Sequence, residues 1–337
     1  MISLIVTSIS GPNYAMNTLA KGCLEHGHSF YVIGDAPSPE NFSLEGCDFY
    51  SLERQRNLGF KLTGILPERH YSRKNIGYLL AIQNGSEMIL ETDDDNDPYE
   101  SFWRKREQKQ KIHQLTGNGW TNVYQYFTDD IIWPRGLPLD AIHSSLPNHL
   151  SLNRKEIDCP IQQGLVNGDP DVDAIYRMIF SHPTRFSFNR LLSMPIALSN
   201  GSWCPFNSQN TAWFPEAFPL LYLPSYCSIR MTDIWRSFIA QRIAWENGWS
   251  ILFSGPDIYQ DRNKHDLMKD FSDEVVGYLH NRRIGEMLAH LPLRLGVEHI
   301  SENLLICYRA MIAAGLLPEK EMTLLEAWIE DVNNQGR

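Results

Sequence analysis

The sequence lacks most of the signatures that assign a chemistry at once. Its six cysteines (Cys23, Cys47, Cys159, Cys204, Cys227 and Cys307) are scattered, with no CxxC pair. That excludes a zinc knuckle and a compact disulfide framework, and fits the reduced thiols of a cytoplasmic protein. No long basic block interrupts a formal charge of -10, so nothing is in place to neutralise a run of phosphates, and nucleic acid is excluded as a partner. No apolar run reaches the about 18 residues that a membrane span needs. The opening stretch Met1 to Ser8 has neither the basic region nor the small-residue cleavage site of a leader. The expectation is a soluble, cytoplasmic protein, with peripheral contact at the inner face of a membrane left open. GxSxG, P-loop and Rossmann glycine fingerprints are absent as well, which removes the support for a hydrolase, a kinase or a dehydrogenase.

What is present is the patterning of an α/β protein. With 337 residues and 43% hydrophobic content, the chain buries one large core plus a smaller appendage. Ile2 to Thr7 reads as a buried strand, Met16 to His26 as a helix closed by Gly27, and Ser29 to Ile33 as a second strand, so a parallel sheet is expected. Ligands of such sheets sit beyond the carboxyl ends of the strands, which puts Thr7, Ser8 and Asp35 on the functional edge. Arg73 to Asn84 reads as a helix with Ile76, Leu79, Leu80 and Ile82 on one face, and Glu87 to Thr92 as a strand. Pro98 is expected to forbid its continuation. Short strands such as Thr121 to Phe127, a helix from Val172 to Phe180, another near Pro215 to Leu221 and an aromatic-rich helix from Asp233 to Gly248 follow. From about Lys264 to Trp328 the apolar residues fall at helical spacing. The expected organisation is a catalytic domain over residues 1–262 and a C-terminal helical subdomain over 263–337.

The chemistry concentrates at Asp93, Asp94 and Asp95. Carboxylates packed at the end of a strand repel one another unless solvent or a cation relieves them. Asp93 and Asp95, spaced Asp-x-Asp, suit Mg²⁺ or Mn²⁺ bridging a diphosphate. A solvated acidic turn that caps a helix is the plain alternative. Arg73, Lys74 and Asn75 open the helix upstream, where side-chain donors and helix N–H groups suit a diphosphate or a sugar. An Arg-Lys pair is otherwise a solvated face.

The string Arg73-Lys74-Asn75-Ile76-Gly77-Tyr78-Leu79 together with Asp93-Asp94-Asp95-Asn96 resembles the STELLO group of glycosyltransferases. So do Trp133-Pro134-Arg135-Gly136-Leu137-Pro138, the long run from Ile161 to Ala174, Pro205 to Thr211, and Arg230 to Arg236. A more distant resemblance runs to the reversibly glycosylated polypeptides, which act as UDP-arabinopyranose mutases. The likeness implies a GT-A-like fold and a nucleotide-sugar donor, UDP-linked by expectation. The chain starts with its first strand rather than with the membrane anchor of the plant members, so their Golgi location is not carried over. The missing anchor and the acidic, soluble composition add the expectation of a saccharide or glycolipid acceptor, as in surface polysaccharide assembly.

Within that resemblance Thr7, Ser8 and Asp35 fall where base and ribose contacts lie, although Asp35 equally suits the cap of a turn. Asp233 is a candidate catalytic base, or else an N-cap of its helix together with Thr232. Asp169, Asp171 and Asp173 form a second acidic set, with Asp171 the candidate for acceptor chemistry and a capped helix start as the alternative. Asn207, Gln209 and Asn210 suit sugar hydroxyls, or pin a buried loop. Arg135 stands where the mutase relatives carry an arginine that becomes glycosylated, and it suits a phosphate clamp or a loop brace as well. His265 is a candidate third metal ligand, by its imidazole suited to Mn²⁺. Three readings remain open: a transferase, a mutase, and a silent nucleotide-sugar-binding scaffold.

Overall fold

The computed structural model describes residues 1–180, 186–188, 194–261 and 266–335. The opening follows the expected alternation: β1 (Ile2–Thr7), α1 (Tyr14–His26), β2 (Ser29–Ile33), β3 (Asp48–Tyr50), α2 (Leu52–Arg56), α3 (Lys74–Gln83) and β4 (Met88–Thr92). β1 lies between β2 and β4, parallel to both, and β3 extends the sheet beyond β2. β1 and β4 alternate their side chains between two apolar layers. Leu4, Val6, Met88 and Leu90 pack against the α1 residues Leu19, Ala20 and Cys23, while Ile5 and Ile89 face α3 through Ile76 and Leu79. Gly77 is required here, because a Cβ at that position would stand 2.4 Å from Ile5. The glycine lets α3 settle directly on the sheet.

The second half is mixed rather than parallel. It comprises β5 (Asn96–Pro98), β6 (Lys109–Leu115), β7 (Gly119–Trp120), β8 (Arg154–Asp158), β9 (Ile161–Gly168), α4 (Ala174–Ile179), β10 (Ile196–Leu198), β11 (Ser202–Trp203), β12 (Asn210–Trp213), α5 (Thr232–Glu246) and β13 (Ile251–Gln260). The eleven-stranded sheet runs β3-β2-β1-β4-β12-β9-β13-β10-β6-β8, with β5 pairing β13 off that path. β12 is antiparallel to both β4 and β9. This Rossmann-like sheet with flanking helices is the GT-A-like arrangement expected. Strand structure stops at Pro98 as expected, after the short edge strand β5 that it closes. Two local expectations are corrected. Thr121 to Phe127 holds a 3-10 turn, Val123–Tyr126, instead of a strand. Pro215–Leu221 is 3-10, with Pro219 inside it.

α6 (Leu267–Ala289), α7 (Ile300–Ala313) and α8 (Lys320–Gln335) form the expected helical C-terminal part. They share the main core: Ile284, Leu304, Leu325 and Trp328 belong to the same apolar cluster as Ile5, Ile76 and Phe238. Buried carboxylates of α8 key it into the sheet half. Asp331 accepts the N–H groups of Lys61 and Leu62, both at 2.9 Å, and Glu321 accepts those of Ser225 and Tyr226.

One tie between sheet and helices is ionic. Glu91 on β4 and Arg236 on α5 are both buried, paired at 2.8 and 3.0 Å. Trp213 Nε1 donates to Glu91 at 2.8 Å, Tyr78 also donates to it, and the guanidinium lies 4.9 Å from the Trp213 ring centre. Removing one member strands the other charge in the core. Arg236→Met should therefore lower unfolding free energy by about 3–5 kcal/mol, read from the urea midpoint. A midpoint equal to the wild type's would show that the pair carries no such burden.

Candidate functional site

A cleft of about 760 Å³ opens at the carboxyl edge of β1, β2 and β4. Thr7, Ser8, Asp35, Arg73, Asp93, Asp94, Asp95, Arg135, Asp171, Gln209 and Asp233 line it. Most of the expected site residues are thus brought together, and the local contacts sort them by what each side chain does.

The three aspartates after β4 point to three different neighbours. Asp93 Oδ1 accepts from Tyr71 Oη at 2.9 Å and lies 3.4 Å from Lys74 Nζ. Asp94 accepts from Ser8 Oγ at 2.5 Å, and Asp95 accepts from Gln260 Nε2 at 2.9 Å. Burial pushes the Asp93 carboxyl up to about 6, against the pull of Lys74, with the charges of Asp95 and Asp94 adding to the rise. One buried ammonium does not fully compensate this cluster. The donor set of hard carboxylate oxygens at the cleft floor therefore fits a divalent ion. Among the described residues no group of three or more carboxylate, thiol or imidazole side chains forms a ready metal cluster. The remaining ligands would come from water and the bound diphosphate. His265 lies outside the described residues.

Lys74 and Arg73 turn away from the role of direct diphosphate ligands. Lys74 is fully buried beneath the acidic turn and donates to Thr92 O at 2.7 Å and Ser208 O at 3.1 Å. Arg73 forks onto Gln55 Oε1 and reaches Leu66 O. Asn75 lies outside the cleft, exchanging two 2.9 Å bonds with the backbone of Leu223. The physical reason is common to all three. The 3-10 turn Tyr71–Arg73 and the first turn of α3 are packed under the sheet edge, so their polar groups find protein partners there. Asp35 braces loops: it accepts the N–H groups of Ala36, Arg69 and His70 at 2.7–2.8 Å. That holds Arg69 at φ 55, the single positive φ outside glycine among the described residues.

Across the cleft, Arg135 bridges two carboxylates. Its Nε and Nη2 donate to Asp171 at 2.7 and 2.8 Å, and its Nη1 and Nη2 donate to Asp233 at 3.0 and 2.9 Å. Nη1 also donates to Arg230 O. All five N–H donors of the guanidinium are thereby engaged. Burial works against the Arg135 charge, but Asp171 and Asp233 outweigh it and hold the group protonated well above its ordinary range. Gly136 lets the loop approach α5, at φ 88 with no room for a Cβ beside Ile234. Asp233 is not the helix cap, since Met231 holds that position without a side-chain bond. Asp173 does cap α4, accepting from Tyr176 N at 2.8 Å. Asn207 donates to Asp171 at 2.9 Å, and Gln209 donates to Gln260 at 2.7 Å. Asn210 points away from the cleft, to Leu165 O and Asp257.

A family model described as STELLO glycosyltransferases matches residues 230–337. The chain is 30% identical to the probable glycosyltransferase STELLO2 of Arabidopsis thaliana over 91% of its own length and 41% of that protein's. The likeness to the STELLO-type glycosyltransferases thus runs through most of the chain. To STELLO1 of the same plant the identity is 28%, over 98% of this chain and 44% of the other, so the chain spans under half of the curated relatives it matches. Among solved structures, a mycobacterial protein and the M. tuberculosis glucosyl-3-phosphoglycerate synthase are loosely similar. Their TM-scores are 0.43 and 0.41 at 8% identity, over 84% of this chain and 75% and 81% of theirs. A likeness that loose decides nothing about chemistry.

The sequence reading missed several residues in the lining of this cleft or buried just behind it. Tyr71 stands three residues before Lys74 and was visible as part of the same turn. Ser208 lay inside a recognised string without a role. Gln260 closes a strand whose Gly255-Pro256 interruption hid it, and Arg230 was read only as the lead into α5, although it pairs with Glu274 of α6 at 2.7 Å. Arg177, Lys269 and Asp273 come from α4 and α6, and nothing in sequence spacing brings those helices to the cleft.

Burial also sets a pH dependence here. The Asp173 carboxyl, 1% exposed, is pushed from 3.8 up to about 6, mainly by desolvation. The folded state then holds more protons than the unfolded state between these values, so stability falls as pH rises through the window and levels off above it. Asp173→Asn removes the titrating group. The stability of the wild type relative to this variant should decline from pH 4 to pH 6.5 in urea titrations, and parallel curves would remove Asp173 as a contributor.

Proposed function

We propose that this chain transfers a glycosyl residue from a nucleoside diphosphate sugar, UDP-linked, to a saccharide or glycolipid acceptor. The observation that carries the proposal is the joint lining of one cleft by the acidic turn Asp93 to Asp95 and the Arg135 fork with Asp171 and Asp233. The likeness to STELLO-type glycosyltransferases supports the reaction class. In this reading Asp93 and Asp95 hold Mn²⁺ or Mg²⁺, which neutralises the departing diphosphate when bound.

The chain's own residues divide the remaining work. Thr7 and Ser8 sit at the end of β1, where the parallel edge receives the nucleotide, and Asp35 fixes the Arg69-His70 corner that walls this end. His70 Nδ1 accepts from Ser72 N at 3.1 Å, so in the neutral ring the proton lies on Nε2. Desolvation, the larger effect, lowers the affinity of this ring for a second proton, with Asp35 opposing it. Asp171 and Asp233 are the carboxylates placed for the acceptor. Each is charge-paired through Arg135, which removes the repulsion that would otherwise drive them apart. An acceptor hydroxyl attacking the anomeric carbon gives up its proton to one of them, in exchange for a bond now made to Arg135, Ser208 or Asn207. The mutase reading asks Arg135 to act as a nucleophile. Asp171 and Asp233 hold this guanidinium in its charged form, which has no free nitrogen lone pair to attack with, and that speaks for a strut.

A binding panel tests the proposal. UDP and UDP-sugars with Mn²⁺ should raise the melting temperature, a tight ligand adding about 2.7 kcal/mol at a hundredfold excess over Kd. Asp93→Ala combined with Asp95→Ala should abolish the Mn²⁺-dependent part. A double variant that responds as the wild type does would remove the metal from these residues.

A further inference from the structure

Between the acidic turn and the Arg135 fork lies a short run of hydroxyls that joins them. Tyr71 Oη is 2.9 Å from Asp93 Oδ1 and 2.6 Å from Ser208 Oγ, and Ser208 Oγ is 3.4 Å from Asp233 Oδ2. Lys74 Nζ stands 2.9 Å from Tyr71 Oη. An ammonium only donates, so the phenol oxygen accepts from Lys74 and keeps its single proton for either Asp93 or Ser208. Ser208 likewise has one proton, for either Tyr71 or Asp233.

The 2.6 Å contact between the two hydroxyl oxygens requires a proton between them, and two arrangements supply it. In the first, Ser208 donates to Tyr71 and Tyr71 donates to Asp93. In the second, Tyr71 donates to Ser208 and Ser208 donates to Asp233. No proton leaves its oxygen in passing from one to the other, since two O–H rotations suffice. The backbone around the run is fixed: Ser208 is 1% exposed, its N–H donates to Asp233 at 3.3 Å, and its carbonyl accepts from Lys74 at 3.1 Å.

We propose that Tyr71 and Ser208 form a switchable hydrogen-bond relay that couples cation occupancy at Asp93 to the carboxylate of Asp233. The proposal rests on the metal assignment made above. A divalent ion on Asp93 competes with the phenol for the same carboxylate and turns the relay toward Asp233. The carboxylate placed for the acceptor thus gains a hydrogen bond only when the leaving-group side is loaded. Tyr71 and Ser208 are positioning residues in this scheme, and the coupling is reciprocal.

A thermodynamic cycle reads it without turnover. Mn²⁺ affinity is measured by calorimetry in the wild type, Asp233→Asn, Tyr71→Phe and the double variant, with Ser208→Ala as a second way to cut the relay. Asp233→Asn should change the Mn²⁺ Kd by on the order of 5-fold in the wild-type background. The factor should shrink once Tyr71→Phe or Ser208→Ala is present, and because the direct charge effect of Asp233→Asn is common to all backgrounds it cancels in the ratio of the factors. Equal factors in all backgrounds would overturn the relay and leave the metal site standing. Absence of Mn²⁺ binding to the wild type would overturn the metal assignment and the relay with it. Infrared difference spectra need no Asp233 variant: Mn²⁺ should perturb an additional buried carboxylate band in the wild type, and that band should be silent in Ser208→Ala. Its persistence there would count against the relay.

Discussion

One guanidinium holds the cleft together. Arg135 comes from a loop, Asp171 from the segment after β9 and Asp233 from the first turn of α5, and no two of these lie close in sequence. Two carboxylates buried side by side are tolerable only with a cation between them, and a planar fork with five donors satisfies both at once. The loop geometry follows from that need. Gly136 gives up its side chain so that the fork reaches α5, and Arg135 N donates to Asp171 O at 3.0 Å to fix the loop's register. Arg230, whose carbonyl Arg135 also holds, carries the constraint on to Glu274 and α6.

The same economy of charge runs through the interior. Lys74 neutralises the underside of the acidic turn, Arg236 meets Glu91 between sheet and α5, and the α8 carboxylates Glu321 and Asp331 bind backbone N–H groups of distant loops. Buried charges are costly unless paired, so each such pair forces two segments into one relative position. The C-terminal helices are for this reason part of the cleft's framework as well as a helical appendage, with Arg177, Lys269 and Asp273 of α4 and α6 reaching its lining.

The first half of the fold was legible because local pattern and tertiary role agree there. The strand from Ile2 to Thr7 and the helix ending at Gly27 are punctuated by apolar runs and a left-handed glycine, and the sheet edge places Thr7, Ser8 and the acidic turn together. The second half was less legible. β9 mixes Gln162, Gln163 and Asn167 with Ile161, Leu165 and Val166, yet is buried throughout, with Gln163 donating to the Asn210 carbonyl of the neighbouring strand. Such a strand shows no alternation of polar and apolar residues. Individual site roles were the least legible. Residue type and order brought Arg73, Asn75 and Asn210 to attention, but direction is set by packing, and these three spend their donors on Gln55, Leu223 and Asp257.

The central claim is that the acidic turn grips a cation and, through it, a nucleoside diphosphate. Crystals grown with UDP and Mn²⁺, with data collected at the manganese edge, test it most directly. The account predicts an anomalous peak within about 2.0–2.3 Å of carboxylate oxygens of Asp93 and Asp95, close to the Mg²⁺-type oxygen distances, with the diphosphate against it and the base toward Thr7 and Ser8. A nucleotide seated instead in the separate groove beside Arg104, Lys105 and Arg106, with no manganese at the turn, would contradict it.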